Sequence, residues 1–143
     1  MDPRHRRALE AILEHCAKIE AYVAAAGPGW RDDDMAVDAI AKRLEETGEQ
    51  AKLLSPELLM QMPAVDWRAL KGLRDFLAHN YPAVVIQIIA SALDDDLPGL
   101  VRAVRGYLAE LHSTRVDQVN ALRAMIRTVD HLTFPVLCGP GDW

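Results

Sequence analysis

The 143-residue chain is short of several things that would decide its class early. Its two cysteines, Cys16 and Cys138, cannot form a disulfide framework or a four-ligand zinc site. No apolar run reaches the roughly 18 uncharged residues of a membrane span, so no membrane role is expected. The start, MDPRHRRALEAILEH, is basic, but Glu10 and Glu14 interrupt any apolar stretch, and it does not read as a secretory signal. Cytoplasmic residence in a reducing compartment is therefore the expectation. An excess of basic charge is also missing. The net charge is -5, so contact with nucleic acid must rest on a local patch. P-loop, GxGxxG and CxxC motifs are absent, as are internal repeats and low-complexity segments.

What the chain does have is apolar content, 50%, enough for one core in a single domain. Its apolar residues recur at helical spacing. Leu9, Ile12, Leu13, Cys16, Ile19 and Val23 mark a first helix, ended by Gly27-Pro28-Gly29. Asp32 to Asp34 open a second, with Val37, Ile40, Ala41, Leu44, Ala51 and Leu54 inward and Thr47-Gly48 where another helix can approach. Ser55-Pro56-Glu57 caps a short turn. A third long helix is expected from Asp66 to about His79, after which Pro82 forces Tyr81 out of the helical region. AVVIQIIASAL is β-branched, yet a lone strand would have no partner, and Val85, Ile88, Ile89 and Ala92 fit a helical face. Asp94 to Asp96 with Pro98 read as the next helix start, carrying Leu100, Val101, Val104, Leu108 and Leu111. A last, separate helix would bury Val116, Val119, Leu122, Ile126 and Val129. The expectation is an all-α bundle of about five to six helices over residues 1–132. An irregular tail follows over 133–143.

The acidic triplets 32–34 and 94–96 suit helix capping better than a metal site, and His15 and Cys16 lack further ligands at metal spacing. No metal and no cofactor are expected. The third helix is more informative. On a wheel, Trp67, Leu70, Leu73, Phe76 and Leu77 cover the core-facing arc, while Arg68, Lys71, Asp75 and His79 share the other face. Asp75 and His79 are i,i+4 neighbours, so the carboxylate can bond and orient the imidazole. An oriented imidazole beside cations suits phosphate chemistry; an ordinary solvated face is the plainer explanation. Arg74 lies about 140° from His79, at the rim of the apolar arc, where a guanidinium suits an interface or a site completed by a second subunit.

Arg74-Asp75-Phe76-Leu77-Ala78-His79-Asn80-Tyr81 reads R-x4-H-x-Y. This resembles the signature of the HepT-like ribonuclease toxins of the HEPN superfamily. "AIAKRLEETGEQAKLLSPEL", "VDWRALKGLRDFLAHNY" and "LDDDLPGLVRAV" resemble three blocks of that family in order and spacing, over about residues 4–112. After Tyr81 the chain departs, with Pro82-Ala83-Val84 in place of the family's glycine- or aromatic-containing stretch; residues from 113 on lie outside the likeness.

The resemblance implies a helical homodimer whose motifs line one interface cleft. There Arg74 would stabilise the scissile phosphate of an RNA (tRNA or mRNA), and His79 would act as general acid/base in metal-independent cleavage. Asp75 would position them; Arg68 and Lys71, the cations of the wheel's polar face, are the candidate RNA contacts. Tyr81 resembles the residue to which a cognate minimal nucleotidyltransferase antitoxin adds AMP. The alternative is a non-catalytic accessory subunit that helps such a nucleotidyltransferase bind its nucleotide or substrate.

Overall fold

The computed structural model describes residues 1–131, with side chains described to residue 128. Among them every regular element is helical. Residues up to Tyr107 form one compact unit and the chain from Leu108 belongs to a second. The proposed tail, 133–143, and Cys138 lie outside the described residues.

Helix α1 (Pro3–Ala26) starts on the Asp2 carboxylate, which accepts the Arg4 N–H at 2.8 Å, and stops where Gly27 adopts φ 76°. Helix α2 (Asp34–Ala51) is capped by Asp33, which accepts the Ala36 N–H at 3.1 Å. The first acidic triplet thus works as a cap. Ser55 caps the short α3 (Pro56–Met60), and Asp66 caps α4 (Trp67–Ala78) through the Ala69 N–H at 3.1 Å. The Trp67 indole is buried and donates to the Met62 carbonyl at 3.1 Å, pinning the start of α4 to the preceding turn. Leu9, Ile12, Ile19, Ile40, Leu44, Ile89 and Val104 are buried at 0% exposure and make the core of the first unit.

Pro82 begins α5 (Pro82–Ser91), so the β-branched run is helical as expected. The second acidic triplet is different. It caps nothing, because Ala92–Asp96 form a π-helical turn that carries α5 directly into α6 (Leu97–His131). The Leu97 N–H bonds the Ala92 carbonyl five residues back. This wide turn immediately precedes Pro98, whose ring cannot share an ordinary α-turn with the carbonyl four residues earlier. The expected break before a last helix is also missing. His112-Ser113-Thr114-Arg115 contains neither Gly nor Pro, and Thr114 Oγ1 bonds the Glu110 carbonyl at 3.0 Å, so α6 runs on. In the second unit Val116, Val119, Leu122 and Ile126 are exposed rather than buried.

Candidate functional site

The motif helix α4 is placed by glycine. Helix α2 packs against α1 and α4, and a Cβ added at Gly48 would fall 2.5 Å from the Leu70 carbonyl oxygen. The two backbones touch where only glycine fits. Trp67, Leu70 and Leu77 are buried, and Leu73 is half-buried. Phe76, expected in the core, is 57% exposed instead. It shares the surface with Tyr81 and with Val84 of α5, both exposed. The apolar arc of α4 is narrower than the wheel implies, because α2 covers only the Leu70–Leu77 side.

At the end of α4, His79 sits in the cap position. Its backbone N–H donates to the Asp75 carbonyl at 3.2 Å, and its Nδ1 lies 2.8 Å from the same oxygen. A carbonyl only accepts, so Nδ1 carries a proton, and in the neutral ring Nε2 then holds the lone pair. His79 is exposed, so Nε2 is accessible. Asn80 donates its side-chain amide to the Phe76 carbonyl, which the last helical turn leaves open, while the His79 ring adds a second bond to the Asp75 carbonyl. Orientation of the imidazole therefore comes from the Asp75 main chain. The expected carboxylate–imidazole bond is not formed, and the Asp75 carboxylate has no polar partner among the described residues.

Arg74 is exposed and reaches back across α2, its Nη1 lying 3.8 Å from Oε1 of Glu49. That oxygen is held more tightly by Lys52 Nζ, at 2.8 Å. Glu49 and Lys52 were invisible to a reading focused on one helix, although Glu49 follows the glycine at the close approach. Arg68 is exposed and Lys71 half-buried, neither with an ion-pair partner among the described residues. Tyr81 is 83% exposed with φ -66° and ψ 153°, the extended conformation Pro82 requires. Within one chain, then, the structure joins His79 to Asp75 and Arg74 to Glu49. No hydrogen bond joins the Arg74 and His79 side chains among the described residues.

A separate cavity of about 160 Å³ opens beside α4, lined by Leu70, Leu73, Asp66, Asp95 and Asp96 among others; none of the motif's polar residues lines it. Among the described residues no three His, Cys, Asp or Glu side chains cluster as metal ligands would. No described helix is long and apolar enough to cross a membrane.

A family model described as ribonuclease HepT-like matches residues 12–106, about two thirds of the chain. The chain belongs to the HepT-like ribonuclease family. Its likeness to individual proteins is more distant. A protein of Caldanaerobacter subterraneus subsp. tengcongensis with a provisional RNase name is 31% identical over 101 residues, 70% of this chain and 90% of that protein. A Methanocaldococcus jannaschii protein, also provisionally named an RNase, is 26% identical over 73 residues, 51% of this chain and 60% of that protein. No solved structure matches the chain significantly. The family match takes in α2, α4 and α5 with the whole R-x4-H-x-Y motif, and it ends before the second unit.

Proposed function

We propose that this HepT-like protein is a metal-independent endoribonuclease toxin, working in the cytoplasm as a homodimer on tRNA or mRNA. The observation that carries the reading is the His79 ring. It is fixed through Nδ1 at a helix end, with Nε2 accessible, one turn from an exposed Arg74. In the reaction Nε2 accepts the proton of a ribose 2′-hydroxyl, and the 2′-oxygen attacks the adjacent phosphorus. The P–O5′ bond breaks, and an imidazolium returns a proton to the leaving 5′-oxygen. The products are a 2′,3′-cyclic phosphate and a 5′-hydroxyl. Arg74 spreads its planar N–H fork over the non-bridging oxygens as charge develops. Arg68 and Lys71, on the exposed side of α4, hold flanking phosphates.

Since Arg74 and His79 diverge on one helix, the composite site needs two copies. Exposed Phe76, Tyr81 and Val84 supply apolar surface beside the motif for that symmetric contact. Asp75 serves through its carbonyl. Tyr81 is the acceptor for AMP from a cognate minimal nucleotidyltransferase antitoxin, which would place bulk and negative charge against the phosphate site. A second reading, a non-catalytic accessory subunit of a nucleotidyltransferase, draws on the net charge of -5, which disfavours RNA at long range.

Growth arrest on expression of the free protein, with RNA cleavage by the purified dimer, tests the proposal against that alternative. His79→Ala should abolish both while leaving the fold and dimer intact, because the exposed ring contributes no core volume. A loss of about 10²–10⁴-fold in cleavage rate is expected for a positioned acid/base group. Equal toxicity of His79→Ala, or a wild type that binds the nucleotidyltransferase without cutting RNA, favours the accessory subunit.

A further inference from the structure

Two cations, Lys52 at the end of α2 and Arg74 of α4, converge on one oxygen of Glu49 beside the motif. Lys52 Nζ stands 2.8 Å from Glu49 Oε1, a charge-assisted hydrogen bond, and Arg74 Nη1 stands 3.8 Å from the same atom. The longer contact lies beyond hydrogen-bond reach, so its attraction is Coulombic. It biases where the guanidinium lies without consuming its N–H donors. Lys52 matters to that balance, because by holding Oε1 it keeps the carboxylate from closing on Arg74. The Lys52 hydrogen bond, followed by the charges of Lys52 and Arg74, lowers the Glu49 pKa, so the carboxylate is charged at neutral pH. Gly48, next in sequence, sets the spacing, since α2 and α4 come into backbone contact there.

We propose that Glu49 is a positioning residue for Arg74: its Lys52-held carboxylate draws the guanidinium across the α2–α4 contact while leaving the N–H fork open for phosphate. The proposal rests on the reading of Arg74 as the phosphate-stabilising group. It differs from a simple charge effect in sign. A carboxylate that merely stood near the RNA path would repel substrate, and its neutralisation would help binding. A carboxylate that preorganises Arg74 should cost turnover when neutralised.

The test is steady-state cleavage of a fluorophore-labelled single-stranded RNA by the full-length protein. Wild type, Glu49→Gln, Arg74→Lys and the double variant are compared, each checked by circular dichroism. Glu49→Gln should lower kcat about tenfold with KM changed less than about twofold. In the Arg74→Lys background, which has no planar fork to orient, the same change should cost less than about twofold. An equal cost in both backgrounds, or a higher kcat/KM in Glu49→Gln, overturns the proposal. Should Glu49→Gln fail to fold, Lys52→Ala decides. With Oε1 free to engage the fork, KM should rise about threefold, and an unchanged KM overturns the proposal. A wild type that cuts no RNA brings down the ribonuclease reading and this inference together. A cutting wild type with an unaffected Glu49→Gln removes this inference alone.

Discussion

Replacing Gly48 by alanine tests the placement of the motif helix directly, because two opposing effects have separate sizes. In an open helical position glycine to alanine stabilises by about 0.5–1 kcal/mol, through the lower backbone entropy of the unfolded chain. At Gly48 the new Cβ would lie 2.5 Å from the Leu70 carbonyl oxygen, against 3.4 Å for ordinary contact. The helices must therefore separate by about 0.9 Å, and the obstacle is backbone inside a helix, which cannot rotate away. Overpacking of that kind costs about 1–3 kcal/mol, and a rigid neighbour puts Gly48 at the upper end. The net expectation is a loss of about 2 kcal/mol. At roughly 4 °C per kcal/mol for a unit of this size, the melting midpoint should fall by about 8 °C.

Gly106 provides the internal control. It is exposed, lies within α6, and a Cβ added there meets nothing within 4 Å. Gly106→Ala should raise the midpoint by about 2–4 °C, since only the entropy gain remains. Thermal unfolding followed by circular dichroism on both variants gives the comparison. If Gly48→Ala melts at or above the wild type, the backbone contact between α2 and α4 is not as close as described. The Glu49–Arg74 geometry that depends on it would then need revision.

RNA cleavage should persist in EDTA and leave 2′,3′-cyclic phosphate or 3′-phosphate ends, because in the proposed mechanism His79 and Arg74 would supply the proton transfer and charge stabilisation; 3′-hydroxyl ends by mass spectrometry would point to another mechanism. Incubation with the cognate nucleotidyltransferase and ATP should add AMP to the wild type and not to Tyr81→Phe, and equal modification of both refutes the Tyr81 assignment. A pH dependence should arise outside the motif. Arg43 Nη1 donates to His15 Nδ1 at 3.2 Å, and burial, then the Arg43 charge, lowers the His15 pKa below its ordinary 6.5. The unfolded chain then takes up this proton first, so stability should fall as pH drops below about 6.5 and level off beneath the lowered folded pKa. Urea midpoints at pH 7.5 and 5.5 should differ less in His15→Gln than in wild type, and an identical difference removes His15 from the account.

Helix ends were legible in this sequence wherever a capping residue acts locally. Asp33, Ser55 and Asp66 each bond an N–H three residues ahead, and Gly27 ends α1 with a positive φ; such contacts need no tertiary information. The β-branched run after Pro82 was legible by exclusion, since no second strand existed for it to pair with. The Asp94–Asp96 triplet misled for a physical reason. An acidic run before Pro98 has the composition of a helix start, but a π-helical turn lets the chain absorb a proline without stopping, and that depends on hydrogen bonds composition does not encode. The exposed stripe of α6 misled differently. Periodicity shows that Val116, Val119 and Ile126 share one side of a helix, but it cannot say whether anything in the same chain covers that side.

The motif shows the same division within a few residues. Spacing placed Asp75 one turn before His79, and the structure does join them, but through the Asp75 carbonyl. A wheel locates side chains; it does not reveal that the helix ends at Ala78, where the His79 imidazole turns back onto a carbonyl that its own backbone N–H already bonds. That contact makes Nδ1 a donor, and in the neutral ring Nε2 is then the acceptor that the proposed base catalysis would use. Arg74 depends instead on another helix. Its neighbour Glu49 lies 25 positions earlier, a separation at which no periodicity links the two. The local clue was Gly48, whose missing side chain marks where a second backbone comes close. Once that glycine is matched to the Leu70 carbonyl, the residue after it becomes the natural place to look for a group acting on the motif helix.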